Sequence, residues 1–576
     1  MFSLQGNPVR LGRIRGTTRE LVMSAEDRQT HLWLPGNTGV GKSKILESMI
    51  CQDIDAWGDT GLGLMLLDPH GSVYRNVLKY VVESGLDRPI IPIDLTRDDW
   101  VIGYNMLRQP KMGADASVIV RALVEAIAFV FGEKDTDGTP RFAKIVSSVL
   151  MALLKDGRPL LDAYQLVTSQ AAMGAFAKRV DEAFARSVFK RLSNLSDQDF
   201  NAQIESTENR LRPFSENERF KAIFGHVGPT FDLSDVLDNG AIVLVNLAQS
   251  QSRLSEENAS LFGTLLLTDL WTAAKNRDKP DDAADIKPFY LYIDEAQNFV
   301  TPTIAKNLTE ARGYGLNLIL ANQFPSQFAD DGDNGMAMYR AVMAAARSKA
   351  VFQMEEPDDL SALAKQLFGG AVDTTRVKRM TTKVVGYKWV ETVTQSTAST
   401  AQRGGTETSQ RGTSTGKSQR EMRPDEIEPP PPYDSEQSNE NSADSSNWSE
   451  SESHSETRSQ SLIPVMGEEV AEYVSLNEQL AGYEQVLRGQ SKRECVVRLA
   501  SMKVPVGIRT LDVPLAWVDD DDVNKYVVDR LQSLPFAVPF PEAFKRAVER
   551  EERFLEGALR QPEGDEPTTA RRKIKK

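Results

Sequence analysis

Eight consecutive residues near the start of the chain have the types and spacing that cradle the phosphates of a nucleotide. The glycines of such a loop let successive backbone N–H groups face the phosphates, and the following helix adds its positive end. In this pattern Lys42 reaches the β- and γ-phosphates, and the Ser43 hydroxyl binds Mg²⁺. The loop fits G-x-x-x-x-G-K-[ST] at every required position and comprises Gly36, Asn37, Thr38, Gly39, Val40, Gly41, Lys42 and Ser43. The sequence therefore predicts a nucleotide-binding site.

Two consecutive carboxylates, Asp294 and Glu295, form a second candidate site. They follow the apolar residues 289–293, which predict a strand in the core of a sheet. Asp294 would hold Mg²⁺ through its water shell, and Glu295 would orient or deprotonate an attacking water molecule. An apolar run that ends in Asp-Glu is common by itself, but together with the glycine loop it indicates hydrolysis of the bound nucleotide.

Three further polar residues are candidates, and each has a structural alternative. Asp68 follows the apolar run 63–67, at the strand end where ligands of open α/β sheets collect, although Asp-Pro-x-Gly is also an ordinary turn. Gln323 follows the apolar run 316–321 and either senses the γ-phosphate or is a turn amide. Arg312 closes a helix predicted over 303–312. It either reaches a neighbouring subunit's nucleotide or satisfies the helix dipole.

The elements that must position these residues are strands and helices of an α/β fold. Short segments rich in apolar residues, at 31–34, 63–67, 89–94, 241–247, 289–293, 316–321 and 349–354, predict strands of a largely parallel, buried sheet. From about residue 112 the pattern changes, because apolar residues recur at three- and four-residue steps, as in a run of helices. An inserted all-helical domain accounts for the long separation between the two candidate sites.

The expected domain organisation follows from these changes in pattern. Residues 1–111 form a small β element and the first part of the nucleotide-binding core, 112–230 the helical insertion, and 231–394 the second part of the core. Residues 395–460 are rich in Ser, Thr, Gln, Glu and Asn, and we expect them to be disordered because they bury too little apolar surface. A return helix and a β-hairpin follow in 461–515, and 516–576 read as a charged helical tail.

Composition narrows the class of protein. A net charge of −14 argues against a uniformly basic nucleic-acid coat but permits a local basic channel. Two cysteines predict no disulfide framework, and four scattered histidines predict no structural metal. No apolar run approaches the ~20 residues that a membrane span needs, so we expect a soluble, cytoplasmic protein without a membrane span.

Five motifs in this order resemble the HerA/FtsK group of ring-forming, DNA-pumping ATPases, and most of all its VirD4/TraG-type conjugative coupling proteins. The motifs are the glycine loop, Leu67-Asp68-Pro69-His70-Gly71, residues 243–247, residues 293–297, and residues 310–316 running to Gln323. The similarity covers roughly residues 9–370, and more weakly 465–515. Two features depart from the pattern: the chain has no N-terminal membrane helices, and residues 1–30 are too short for the longer β-barrel of HerA-type proteins.

The resemblance implies a RecA-like P-loop NTPase core that uses ATP and Mg²⁺, acts on DNA and assembles as a hexamer. It also implies that Arg312 reaches the nucleotide of the neighbouring subunit and that Gln323 is the nucleotide sensor. The sequence is therefore interpreted as an ATP-driven DNA motor. The alternative is an ATP-dependent protein-handling or assembly factor that recruits a partner protein through the helical insertion or the C-terminal tail.

Overall fold

The computed structural model describes residues 6–107, 115–131, 140–226, 228–249, 254–277, 286–328, 332–373, 375–402, 406–422, 450–513 and 516–559. The chain divides into two compact units. The first unit comprises Met1–Ala371 and Leu480–Lys576, and the second comprises Val372–Gln479.

An 11-stranded sheet is the centre of the first unit, in the order β2-β1-β15-β14-β10-β3-β9-β8-β4-β7-β5. The strands of this unit are β1 (Val9–Ile14), β2 (Glu20–Met23), β3 (Leu32–Pro35), β4 (Leu64–Asp68), β5 (Ile90–Asp94), β6 (Trp100–Ile102), β7 (Ile242–Asn246), β8 (Phe289–Ile293), β9 (Leu316–Asn322), β10 (Ser348–Phe352), β14 (Glu494–Arg498), β15 (Val506–Thr510) and β16 (Ala537–Pro539). The second unit supplies β11 to β13.

The strands from β10 to β5 are parallel to one another, whereas β14, β15, β1 and β2 extend the sheet by antiparallel pairing. Nearly every residue of β3, β4, β7, β8 and β9 is buried, which is why these strands read as continuous apolar runs. The predicted α/β fold with a RecA-like parallel core is confirmed. The antiparallel pair β14–β15 is the hairpin expected in 461–515.

Helices cover both faces of the sheet and form the insertion. They are α1 (Ala25–Arg28), α2 (Lys42–Thr60), α3 (Ser72–Ser84), α4 (Ala116–Val130), α5 (Pro140–Lys155), α6 (Asp162–Thr168), α7 (Gln170–Arg179), α8 (Ala183–Leu192), α9 (Asp197–Glu216), α10 (Glu218–Phe224), α11 (Leu233–Asn239), α12 (Glu256–Lys275), α13 (Pro302–Lys306), α14 (Gly332–Ala345), α15 (Pro357–Phe368), α16 (Leu476–Arg488), α17 (Asp520–Ser533) and α18 (Phe540–Leu559). Helices α4 to α10 lie within the predicted insertion. No helix in the described part of the chain is long and apolar enough to cross a membrane.

The C-terminal helices differ from the charged tail that the sequence suggested. Strand β16 pairs with β6, and α18 packs on the insertion, where the Phe554 ring lies 6.0 Å from that of Phe176. The Lys221 ammonium lies 2.6 Å from the largely buried carboxylate of Glu551. Helix α18 packs against α6, α7 and α10 of the insertion, with Phe554 on its buried side. Residues 560–576, including the basic end, lie outside the described residues.

Where the structure describes it, the segment 395–460, for which we expected disorder, contributes residues to the strands of the second unit. Strand β11 (Val377–Gln402) pairs antiparallel with both β12 (Thr406–Met422) and β13 (Glu450–Tyr473). Trp389 of β11 lies opposite Leu462 of β13 and Arg420 of β12. The ladder then continues along Thr- and Ser-rich sequence, in which the paired strands satisfy one another's backbone groups. Residues 403–405 and 423–449 lie outside the described residues.

Candidate nucleotide site

The glycine loop joins the end of β3 to the start of α2, as the motif requires. Its first residues are tied to the ends of two neighbouring strands. The N–H of Gly36 lies 3.3 Å from the Asn322 oxygen and 3.2 Å from the Gln323 oxygen, and the N–H of Asn37 donates to Gln353 at 2.9 Å. A Cβ on Gly36 would lie 2.5 Å from the Cβ of Phe352, so only glycine fits there.

Residues 38–43 form a cradle of backbone donors. Among the described residues, no backbone or side-chain group accepts a hydrogen bond from the N–H groups of residues 38–41, and Lys42 and Ser43 open a helix whose first amides lack helical partners. Gly41 lies at φ 118°, a conformation that favours glycine. Unpaired amides at a helix N-terminus are the donors that phosphate oxygens require. The loop therefore fits a nucleotide's phosphates.

The Lys42 side chain lies within this loop and is almost fully buried. Its ammonium donates to the backbone oxygens of Gly36 at 2.5 Å and Asn37 at 3.0 Å. Burial lowers the pKa of Lys42, and the nearby carboxylates Glu295 and Asp294 oppose this effect. The structure thus brings the lysine of the first motif into the field of the two acids of the second.

Ser43 and Asp294 meet although they are far apart in sequence. The Ser43 hydroxyl lies 3.5 Å from the Asp294 Oδ2 atom. Asp294 follows β8 and is buried, and this burial, with the charges of Asp68 and Glu295, raises its pKa to about 6. A hydroxyl and a carboxylate beside a phosphate loop are suitable ligands for Mg²⁺ and its water shell, and the excess negative charge there favours a cation.

Glu295 is held by a set of polar neighbours. Its Oε2 atom accepts a hydrogen bond from Gln297 at 2.9 Å, and its Oε1 atom accepts one from the Gln323 carboxamide at 3.2 Å. The His70 Nε2 atom lies 3.7 Å from the same Oε1. Burial acts to raise the pKa of Glu295, but the nearby His70 ring and the hydrogen bonds from Gln297 and Gln323 outweigh it and lower the pKa to about 2. The side chain is therefore an ionised, oriented carboxylate.

Gln323 connects the two motifs. It directly follows β9, the strand that lies between β3 and β8 in the sheet. Its backbone oxygen accepts a hydrogen bond from Gly36, while its carboxamide donates to Glu295. One residue therefore contacts both the glycine loop and the carboxylate.

Asp68 has the turn role that the sequence left open. Its carboxylate accepts hydrogen bonds from the N–H groups of His70 and Tyr74, both at 2.9 Å, and so closes the turn before α3. This turn places His70 beside Glu295. The negative charge of Asp68 also helps to raise the pKa of Asp294.

Arg312 is not brought to the site of its own chain. The helix predicted over 303–312 consists of the short α13 followed by a 3-10 helix, Leu308–Tyr314, which contains Arg312. Its side chain is exposed and forms no hydrogen bond or ion pair with any residue that the structure describes. The structure thus leaves the guanidinium at the surface of the chain.

Three neighbours of the site, His70, Gln297 and Arg493, were not assigned by sequence reasoning. His70 and Gln297 lie inside motifs that carry the resemblance, but no spacing rule gave them a partner. Arg493, in a turn with φ 68°, donates its N–H to the Val40 oxygen at 2.6 Å. A Cβ on Gly41 would lie 3.1 Å from the Arg493 Cα. The turn before β14 therefore packs directly on the glycine loop.

This phosphate loop at the carboxyl end of a parallel sheet, with a carboxylate pair at the end of β8, one strand away from β3, defines a RecA-like P-loop protein. The family model of the type IV secretion-system coupling protein DNA-binding domain matches residues 17–403, about two thirds of the chain. The chain belongs to this family, and the resemblance to VirD4/TraG-type coupling proteins is confirmed.

Solved structures similar to the chain include plasmid coupling protein TrwB in complex with a non-hydrolysable GTP analogue. It is 13% identical, with 90% of this chain and 96% of that chain covered and a TM-score of 0.48. Unbound TrwB lacking its first segment has 13% identity, 88% and 89% coverage and a TM-score of 0.47. VirB4 of Thermoanaerobacter pseudethanolicus has 14% identity, 64% and 88% coverage and a TM-score of 0.40. No curated protein sequence matches the chain.

Proposed function

We propose that the chain is an ATP-driven DNA motor that assembles as a hexameric ring. The observation that carries this proposal is the convergence of Lys42, Ser43, Asp294, Glu295 and Gln323 at one edge of the sheet. Family membership supports DNA as the partner, because the matching family is that of a coupling protein's DNA-binding domain. The exposed Arg312 supports assembly, since a site completed by a neighbouring subunit requires a free cation at the surface.

The nucleotide is bound by the loop 36–43. The amides of residues 38–43 and the Lys42 ammonium take the phosphate oxygens, so Lys42 exchanges its backbone acceptors for the β- and γ-phosphates. Ser43 and Asp294 would hold Mg²⁺, whose charge would offset that of the phosphates. Asp294 is suited to this role because a nearby cation relieves the repulsion that raises its pKa.

Hydrolysis depends on Glu295. A carboxylate with a pKa of about 2 is ionised at neutral pH but is a weak base, so its main contribution is to orient the attacking water. Gln323 contacts both Gly36 and Glu295, so a shift of the loop on nucleotide binding would change the position of this carboxylate. Arg312 of the neighbouring subunit then stabilises the charge that develops on the transferred phosphate.

Ring closure follows from this division of the site. A head-to-tail interface, with the nucleotide on one subunit and Arg312 on the next, is heterologous. Such an interface produces a closed ring when successive rotations between subunits add up to a full turn. The conformational change around the nucleotide is then coupled to neighbouring subunits, as DNA movement requires. A cytoplasmic location is the expectation from composition, with two buried, free cysteines.

DNA-stimulated ATP hydrolysis tests the proposal. We expect the turnover of the full chain to increase when double- or single-stranded DNA is added, and the increase to diminish with salt as phosphate contacts are screened. The Glu295→Gln variant controls for contaminating ATPases and should show no turnover. An ATP hydrolysis rate that neither double- nor single-stranded DNA changes would contradict a DNA motor and favour the protein-handling alternative.

A further inference from the structure

A pocket of about 270 Å³ lies at the end of the sheet opposite the glycine loop. Three cationic side chains line it: Arg347 just before β10, Lys349 in β10 and Arg498 in β14. Lys349 and Arg498 are directly paired across the two strands. The described residues that line the pocket include no Asp or Glu. Three positive charges therefore share one cavity without a carboxylate in its wall.

Lys349 is the deepest of the three, with 7% of its surface exposed. Its ammonium donates to the backbone oxygens of Met343 at 3.0 Å and Ala346 at 2.6 Å, at the end of α14. Burial, aided by the charge of Arg498, lowers the pKa of Lys349 to about 8. Capping of α14 accounts for two of the three ammonium protons. Helix capping does not explain why Arg347 and Arg498 lie beside Lys349.

The two arginines also lack acidic partners. Arg498 donates to the backbone oxygen of Gln366, and Arg347 forms no side-chain hydrogen bond or ion pair within the described part of the chain. The buried Oε1 atom of Gln366, in the same wall, has no hydrogen-bond partner among the described residues. Asp27 is bonded to Ser501 next to the pocket, but it does not line it. By contrast, buried Arg28 is matched by Asp53.

We propose that this pocket binds a phosphate group of the DNA backbone. A phosphate is an anion whose oxygens match the guanidinium forks of Arg347 and Arg498 and the remaining N–H of Lys349. Because the whole chain carries a charge of −14, DNA contacts must be made where cations are concentrated locally. This inference rests on the proposed function for the source of the phosphate, but not for the anion chemistry of the pocket.

The first test measures DNA affinity by fluorescence anisotropy with a short labelled DNA and the full chain in Mg²⁺–ADP. Arg347→Gln and Arg498→Gln should each weaken binding about tenfold at ~0.1 M salt and reduce the slope of log Kd against log salt by about 1. Arg340→Gln is the matched control, because Arg340 is an exposed arginine of α14 outside the pocket. Two arginine variants are tested separately, so that a folding defect in one of them does not decide the result.

The second test uses inorganic phosphate as the probe and the thermal unfolding temperature as the readout. Wild type and Arg340→Gln should gain the same stabilisation, and Arg347→Gln should lose part of it. If the phosphate effect is lost but DNA affinity is unchanged, the pocket takes free phosphate and the DNA assignment is overturned. If wild type binds DNA and neither readout responds to the variants, the pocket is not an anion site. Failure of wild type to bind DNA would instead contradict the proposed function.

Discussion

At the scale of single residues, Glu295 is the most constrained side chain of the site. Its backbone lies at φ 47°, a left-handed conformation that is uncommon for a residue other than glycine. Gln297 and Gln323 hold its two carboxylate oxygens, and His70 lies beside them. Strained backbone and saturated hydrogen bonding at the same residue are typical of a position where orientation matters more than local stability.

Separate roles for Lys42 and Glu295 predict different defects. Lys42→Ala should weaken ATP binding, because it removes the cation that faces the phosphates. Glu295→Gln should bind ATP nearly as well as wild type, while turnover falls by a factor of about 10²–10⁴. Equilibrium binding of a fluorescent ATP analogue and phosphate release measure the two quantities. Glu83→Gln, an exposed glutamate of α3, should change neither. Equal affinity in the two variants, or wild-type turnover in Glu295→Gln, would refute this assignment.

At the scale of elements, a buried ion pair fixes the helix and the strand that carry the site. The Arg28 guanidinium donates to both oxygens of Asp53, at 2.6 and 2.7 Å, and lies 3.4 Å above the Tyr290 ring. The Tyr292 hydroxyl donates to Asp53 at 2.6 Å. Asp53 belongs to α2, which begins at Lys42, and both tyrosines belong to β8, which ends just before Asp294.

Breaking this pair should destabilise the first unit strongly. Asp53→Ala leaves the Arg28 charge buried without a partner, so we expect a loss of about 3–5 kcal/mol in the free energy of unfolding. The double variant Arg28→Met/Asp53→Leu should recover much of that loss, because it removes both charges. Chemical unfolding followed by circular dichroism measures both. Glu542→Ala breaks an exposed pair with Arg546 and should cost at most about 1 kcal/mol. A similar small cost for Asp53→Ala would show that the pair does not hold these elements.

At the scale of the whole molecule, the sheet presents two different regions for anions. The carboxyl end of the parallel strands carries the glycine loop, and the opposite end carries the pocket of Arg347, Lys349 and Arg498. In the proposed ring, the first region is completed by Arg312 of a neighbour. Nucleotide and DNA backbone would then contact separate ends of one rigid sheet.

Mixing of inactive variants tests the ring. Arg312→Ala should abolish turnover but keep ATP binding, because an arginine acting in trans contributes a factor of about 10³–10⁵ in rate. Lys42→Ala retains its arginine but cannot use its own site. A mixture of the two should recover a measurable fraction of wild-type turnover, since some Lys42→Ala subunits donate Arg312 to intact sites.

A labelled-subunit experiment provides the control for this mixture. If subunits exchange and the mixture stays inactive, Arg312 does not act in trans or all subunits must hydrolyse together. Full activity of Arg312→Ala alone would exclude Arg312 as the arginine that acts in trans.

The sequence by itself determined the features that depend on neighbouring residues. The phosphate loop is one run of eight residues, so its amides, Lys42 and Ser43 can be recognised without knowing what packs around them. The core strands are recognisable for a similar reason, because burial on both faces requires an uninterrupted apolar run. The family resemblance rests on the same local motifs and their order.

Only the tertiary structure decided the contacts between distant segments. Whether Asp68 is a turn residue, which side chains hold Glu295, and how Arg493 meets Val40 all depend on which strands become neighbours. The pairing of the polar strands in the second unit and the docking of helix α18 also depend on partners that are distant in sequence. Composition measures how much apolar surface a segment carries, but the energy of pairing or docking is set by a partner elsewhere in the chain.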